Sequence, residues 1–452
     1  MKTELLTKQN GSYFADIRTV YKSKDQRTIE YLGALYDNKE FLFDVIEDLI
    51  NSNISDTVIR EKNILLKPNW VLHNLKPDDW MCLRTNENFL LATVKAVLNK
   101  KPKSIIIGDA PIQDCDWEKM MDKNFIEAIN ELSVKYSTPI TIKDFRRTTW
   151  NPTNNIVKTE QHPLNEYIIF DVGNQSMLNA LCNNNKNPFR IVNYAPDTLA
   201  KTHKQGMHKY CITKDLFESD VVITIPKVKI HQKTGFTNSM KILVGVNGDK
   251  EFLPHHRIGG TKDGGDCYPG HNLFRYLSEI SYDKANRNRK INWKYQFYFF
   301  FCRAFWKLSF PKEEHSLGAS WYGNDTCWRM VFDLNKVAVY GKKDGTISKE
   351  PQRVLYSLCD GIIGGQGNGP LQPTPLPLGM VSFTNNAELM DVAYGFLLKL
   401  KHEKIPLLKK AKELVDKMKY SISLNKNEVS MESLVDYSID VIMPPGWQNY
   451  DN

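Results

Sequence analysis

The chain reads as an α/β protein with a mostly parallel central sheet flanked by helices and a large irregular and helical insertion. Three observations predict this. Short, wholly apolar runs recur along the chain, as in "NILLKP" and "KSIIIGDAP". Amphipathic helical stretches separate them. Each apolar run ends in polar or charged residues and turn formers, as buried parallel strands do at their carboxyl ends.

The elements run in order along the chain. Residues 63–68 are a buried strand stopped by Pro68. Residues 87–100 carry Phe89, Ala92, Val94 and Val97 at helical spacing, opened by acidic residues and closed by lysines, as the helix dipole favours. "KSIIIGDAP" is a second buried strand, a helix comes next near 117–135, and "TPITIKDF" is a third strand. Residues 151–218 are Asn-rich and irregular, with strands at "YIIFDV" and near "FRIVNY". The "DVVITIP" strand is next, then a short helix over 237–245 capped by Thr237. Helix returns at 327–341, succeeded by a strand at 353–359, a Gly-rich turn "GGQGNGP", the strand "LGMVSFT" and helices at 386–400 and 404–420. The implied organisation is an N-terminal extension (1–60), one α/β domain in two parts (61–248 and 326–452) and an insertion between them (249–325).

Composition limits the function classes. The chain has 452 residues, 41% hydrophobic, with a formal net charge of +8. This mild basic excess suits acidic small molecules or an anionic membrane surface; no dense basic stripe or nucleic-acid motif is present, and no nucleic-acid partner is expected. The eight cysteines form no C-x-x-C pair, which argues against a zinc ribbon, an iron–sulfur run or a disulfide scaffold, and for a reducing compartment. The segment "MKTELLTKQNGSYF" lacks a signal-peptide apolar core. A cytoplasmic protein is expected, with peripheral contact to the inner face of the membrane as a further option.

Ligands in open α/β sheets bind beyond the carboxyl ends of strands. Lys67 and Asn69 lie at the end of one strand, Gly108 and Asp109 of another, Lys227, Lys229, His231 and Lys233 of a third, and Asp360 of a fourth. In an extended chain Lys227, Lys229 and His231 share a face. Like charges side by side repel unless an anion lies between them, so the row points to a phosphate or carboxylate ligand or to a carboxylate from elsewhere in the chain; an edge strand guarded by lysines is the alternative, weakened by the apolar run just before. A helix N-terminus at Thr237 would attract the same ligand, with Lys241 one turn on. Gly365, Gly367 and Gly369 would let backbone N–H groups close on it, although the loop matches neither nucleotide-binding glycine pattern. His231 is the candidate general acid or base, with Asp109 and Asp360 as opposing bases or ligands of a divalent cation. In the insertion His255, His256, Asp263, Asp266 and His271 are further metal or acid–base candidates, though their spacing fits no closed zinc site. Residues 286–312 are basic at both ends and densely aromatic: an interfacial membrane helix, or a buried helix, which the nearly all-round apolar pattern favours.

"ILLKPNWV", "SIIIGDAP", "SDVVITIPKVKIHQKTGFTNSMKILVG", "LCDGIIGGQGNGP" and the closing "PPGW" resemble, in order, segments of the domain-of-unknown-function 362 family. The resemblance covers about residues 60–445, interrupted by the insertion. It implies an α/β cytoplasmic protein. Some members carry ferredoxin-type cysteine motifs; this chain has none, so no iron–sulfur cluster is expected. Long members are associated with cell-envelope polysaccharide synthesis. The expectation is therefore an enzyme acting on an anionic small molecule or a lipid-linked sugar intermediate, with Lys67, Asn69, Lys227, Lys229 and Lys241 binding it. The alternative is a non-catalytic assembly protein docked to a membrane or partner enzyme through its aromatic insertion.

Overall fold

Asn63–Pro68 (β2) is buried along nearly its whole length because helices cover both faces of its sheet. Ile64 and Leu66 pack on one side with Val94 and Val97, while Leu65 packs on the other with Val222, Leu334 and Val337. Side chains alternate across a strand, so a run of consecutive apolar residues fills two cores at once. The computed structural model describes residues 13–151, 156–182, 188–288, 290–310, 318–448 and 450.

The central sheet has 12 strands. They are β1 (Tyr13–Thr19), β2, β3 (Ser104–Asp109), β4 (Ile140–Asp144), β5 (Val221–Ile225), β6 (Lys227–His231), β7 (Gly235–Thr237), β8 (Val354–Asn368), β9 (Gln372–Leu376), β10 (Met380–Thr384), β11 (Tyr420–Leu424) and β12 (Asn427–Glu428). The order is β12-β11-β1-β10-β8-β5-β2-β3-β4, with β6, β7 and β9 continuing beyond the end of β5 and beside β8. From β8 to β4 every pair is parallel, in the register Val354–Val221–Ile64–Ile105–Ile140. β10 runs antiparallel to both β8 and β1, and β1 pairs in parallel with β11. The segment expected as an N-terminal extension thus supplies an internal strand of the sheet.

The main helices are α1 (Lys39–Asn53), α2 (Glu87–Asn99), α3 (Lys123–Tyr136), α4 (Leu273–Asn286), α5 (Trp293–Leu308), α6 (Cys327–Tyr340), α7 (Ala387–Leu397) and α8 (Pro406–Val415). Capping chemistry sets where several of them start. Asn86 Oδ1 accepts from the Asn88 and Phe89 N–H groups, Asp122 from Asn124 and Phe125, and Asn386 from Leu389. The cap at Asp122 also explains why the helix expected over 117–135 is two pieces, Trp117–Met120 and α3.

Three local expectations differ from the structure. No regular helix fills 237–245: Thr237 pairs with Lys229 in the β6–β7 hairpin, and a 3₁₀ turn covers Lys241–Val246. The N–H groups of Ser239 and Met240 are there, but the buried carboxylate of Asp391 accepts them at 2.8 and 3.2 Å. The Gly-rich stretch is not a turn: β8 runs through it to Asn368, held between β6 and β9. Gly365 must lack a Cβ, since one would lie 2.9 Å from that of Lys229. Finally, α5 is not a core helix. Only Cys302 of its residues is buried, and Trp293, Phe297 and Phe300 are 72%, 52% and 66% exposed. Its opposite side packs on α4 through pairs such as Tyr282–Phe299.

Candidate functional site

A cavity of about 420 Å³ opens beyond the carboxyl ends of β2, β3 and β5. Its charged wall is built by β6 and the turns C-terminal to it. Lys229 and His231 come from the strand, Lys233 from the hairpin turn, Lys241 from the 3₁₀ turn, Lys250 from the next short turn, and His255 from the start of the insertion. Asn69 and Thr237 add polar groups, while Val71, Ile112, Ile191, Val192, Val244 and Leu371 give an apolar side.

Charge balance distinguishes this wall. Lys229 is 1% exposed, and its ammonium reaches only the Leu83 carbonyl. Lys233 donates to the Gly318 carbonyl, and Lys250 to the Ala110 carbonyl at 2.7 Å. The Lys241 ammonium makes no hydrogen bond or ion pair among the described residues. None of the four has a carboxylate partner among the described residues. Two carboxylates line the cavity. Asp109 is committed to Lys67 at 2.7 Å, and Asp114 is exposed. Two neutral acceptors are unused: Asn69 Oδ1 and Thr237 Oγ1 are buried on the cavity without a hydrogen-bond partner. A buried polar atom left unpaired costs about 1–3 kcal/mol, so such atoms at a cavity wall mark where a ligand's groups fit.

Burial sets the protonation states. It pushes the Lys229 ammonium down to about 7, reinforced by Lys241 and Lys227 and opposed by the Cys82 thiol. It does the same to Lys250, also to about 7, against the pull of Asp109. His231 is driven well below its usual range by burial and then by Lys241, Lys233 and Lys229. His255 falls to about 3 for the same two kinds of reason, burial and neighbouring Lys233. Both imidazoles are therefore neutral near pH 7. Their tautomers are set by the backbone. His231 Nδ1 accepts the Lys233 N–H at 3.0 Å, leaving Nε2–H as a donor. His255 donates Nδ1–H to the Leu253 carbonyl at 2.8 Å, leaving Nε2 as an acceptor. The wall thus combines a neutral donor, a neutral acceptor and two lysines that exchange protons near neutrality, which suits proton transfer on a bound anion.

Of the other expected site residues, Asp109 lines the cavity and Lys67, Lys227 and Asp360 lie behind it. Lys67 joins the ends of β2 and β3: Asp109 Oδ1 accepts from its Nζ, and Asp109 Oδ2 accepts the Trp70 N–H at 2.7 Å. Gly245 packs so closely on this pair that a Cβ would lie 1.8 Å from Asp109 Oδ1. Lys227 and Asp360 pair at 2.8 Å with both side chains fully buried, and neither lines the cavity. Tyr36 completes that group, accepting from Lys227 at 2.8 Å and donating to Asp360 at 2.5 Å. Gly365, Gly367 and Gly369 do not line the cavity either; Pro370 and Leu371, just beyond them, do. The C-terminal "PPGW" is anchored on the β6–β7 hairpin turn, with Trp447 Nε1 donating to the Gln232 carbonyl at 2.6 Å.

Among the insertion's candidates, Asp266 accepts from Thr326 Oγ1 at 2.5 Å and from the Asp325 N–H, and His271 pairs with Asp263 on the surface. Sequence reasoning did not single out Lys250, and placed Thr237 near the ligand only as the cap of a helix that the structure replaces with a hairpin. The available signal was weak: Lys250 lies in "NGDKEF", outside any periodic element, and reaches the cavity only because Asn247–Phe252 folds back over the end of β3.

The family comparison covers the segments that build this wall. The family described as "Domain of unknown function (DUF362)" matches over residues 169–394, half of the chain. The chain belongs to this family. The DUF362 segment includes β5 to β10, and so Lys229, His231, Lys233, Lys241, Lys250 and His255. No curated protein matches the chain. A crystal structure of a Thermotoga maritima protein is similar at 9% identity and a TM-score of 0.33, covering 84% of this chain; the chain spans 59% of that one.

Proposed function

We propose that this DUF362 protein is an enzyme whose substrate carries a phosphate or carboxylate, held by Lys229, Lys233, Lys241 and Lys250. The observation that carries the reading is that these four lysines face one cavity and none of them forms an ion pair with a carboxylate among the described residues. Charge-assisted hydrogen bonds to a bound anion supply the missing partner. Asn69 and Thr237 orient it, and His231 donates from Nε2 to an oxygen of the anion or leaving group. The apolar side of the cavity accommodates an uncharged part of the substrate. Lys229 or Lys250 takes and returns the proton.

The substrate class is a small anionic metabolite or a lipid-linked sugar intermediate. Exposed aromatics on α5 favour the second. That helix carries Lys294, Arg303 and Lys307 and no carboxylate, so its outer side joins aromatic bulk to positive charge. Such a surface fits an anionic membrane interface. No described helix is long and apolar enough to cross a membrane. A role in envelope polysaccharide synthesis rests on the family resemblance alone.

Calorimetric titration with pyrophosphate, a nucleoside diphosphate sugar and the corresponding free sugar tests the site. The two anions are expected to bind and the free sugar not to. Equal responses to all three would overturn the reading. The exposed α5 also favours a second reading, a non-catalytic assembly protein. His231→Ala and Lys229→Ala variants that keep full pathway output, alongside α5-face variants that lose it, would select that one.

A further inference from the structure

We propose that His256, Cys267 and Glu279 form a binding site for a divalent transition-metal ion of the zinc class, inside the insertion and next to the cavity wall. The three donor groups lie within 4.8 Å of one another. They come from separate places. His256 is on the two-residue strand His256–Arg257, which pairs with Phe189–Arg190. Cys267 lies just past the glycine-rich loop, and Glu279 projects from the middle of α4. Their convergence is therefore a product of folding and not of a local motif.

Burial and unused valence point to a ligand. The three residues are 5%, 3% and 6% exposed. His256 Nδ1 and Glu279 Oε1 are buried and have no hydrogen-bond partner. His256 Nε2 lies 3.8 Å from Glu279 Oε1, beyond hydrogen-bonding reach. The nearby Arg190 is held by Asp283 at 2.7 Å, and Arg275, one turn before Glu279 on α4, lies over the Tyr268 and Trp306 rings. The Cys267 thiol hydrogen-bonds the Glu279 carboxyl, and a metal cation that displaced the thiol proton would be held by the thiolate, the carboxylate and the imidazole together. The other carboxylate oxygen, Oε2, is already oriented by the Gly259 N–H at 3.0 Å, the kind of outer contact that positions a ligating carboxylate.

The donor set selects the ion. Sulfur, nitrogen and oxygen together suit zinc or a neighbour in the transition series, and an all-oxygen set would be needed for calcium or magnesium. Bonds of about 2.0–2.3 Å bring tetrahedral donors to roughly 3.3–3.8 Å apart. Side-chain rotation closes that gap, and water or another donor takes the fourth position. An ion here ties the glycine-rich loop to α4 and to the His256 strand. Because His255 lines the cavity, the ion fixes one end of the cavity wall.

The test uses the full chain, purified without a metal-affinity tag. Elemental analysis is expected to find stoichiometric zinc. After chelation, cobalt(II) is expected to restore occupancy and give a thiolate-to-cobalt charge-transfer absorption. Cys267→Ser should abolish that band. The near-isosteric Glu279→Gln should weaken zinc binding by more than roughly 100-fold while leaving the circular dichroism spectrum unchanged. A wild-type protein without the band, or a band that survives Cys267→Ser, would overturn the site. If Cys267→Ser does not fold, Glu279→Gln decides: zinc affinity equal to wild type overturns the proposal.

Discussion

Lys227 donates from Nζ to Asp360 Oδ2 across 2.8 Å, and neither side chain is exposed to solvent. This pair ties β6 to β8 at the point where both strands leave the core of the sheet, and Tyr36 and the Asn86 N–H complete the hydrogen bonding of the carboxylate. Removing one partner strands a buried charge, which costs about 3–5 kcal/mol. Asp360→Ala is thus expected to lose that much stability in urea unfolding. The double variant Lys227→Met with Asp360→Ala should recover most of it. A single variant as stable as wild type would show that the pair is not the element holding these strands.

Lys241 is the opposite case, a cation without a partner among the described residues. Its neutral replacement removes repulsion on Lys229, so Lys241→Gln is expected to keep or raise stability. A charged hydrogen bond contributes about 1.5–3 kcal/mol, so the same change should weaken pyrophosphate binding by roughly 10- to 100-fold. Calorimetry and thermal unfolding on one preparation check both. Unchanged affinity would remove Lys241 from the site.

Stability should rise with pH. Lys229 and Lys250 titrate near 7 when folded but near the ordinary lysine value of about 10.4 when unfolded. Between those values the unfolded chain holds protons that the folded chain lacks, so raising the pH favours folding, by up to about 1.4 kcal/mol per pH unit for each lysine. Below about pH 7 both states are protonated and these groups add no slope. Denaturant midpoints measured from pH 7 to 9.5 are expected to rise, and less steeply in Lys229→Met. Anion binding should reverse the trend, weakening as pH rises and the lysines lose charge.

The exposed face of α5 gives a membrane prediction. Phe297→Ser with Phe300→Ser removes aromatic area already in solvent, so unfolding midpoints should hardly move. Flotation with phosphatidylglycerol vesicles should fall several-fold, whereas neutral phosphatidylcholine vesicles should bind neither form well. Equal flotation of variant and wild type would remove the membrane role.

Legibility in the sequence tracked the range of the interactions. Buried strands 63–68 and 221–225 and the capped helices were readable because burial on both faces leaves an uninterrupted apolar run, and caps are local. The lysine row was readable as a wall, since spacing by two puts Lys227, Lys229 and His231 on one face of any strand. Which of them meet a ligand was not. Lys227 and Lys67 carry the same charge at equivalent strand ends, yet each is neutralised by a carboxylate distant in sequence, Asp360 or Asp109. The all-round apolar pattern of α5 was misread as burial because composition cannot tell a helix packed on every side from one packed on α4 alone.

By itself the sequence determined the buried parallel strands, the α/β class and the cationic residues at the strand ends, all of which depend on neighbours within a few residues. Tertiary structure alone decided that Lys229, Lys233, Lys241 and Lys250 share a cavity without an ion pair among the described residues, and that His256, Cys267 and Glu279 meet. Both outcomes hang on where the chain returns after long excursions. Pairing of a buried charge is settled by the one or two groups that arrive within about 4 Å of it, and no local spacing encodes which groups those are.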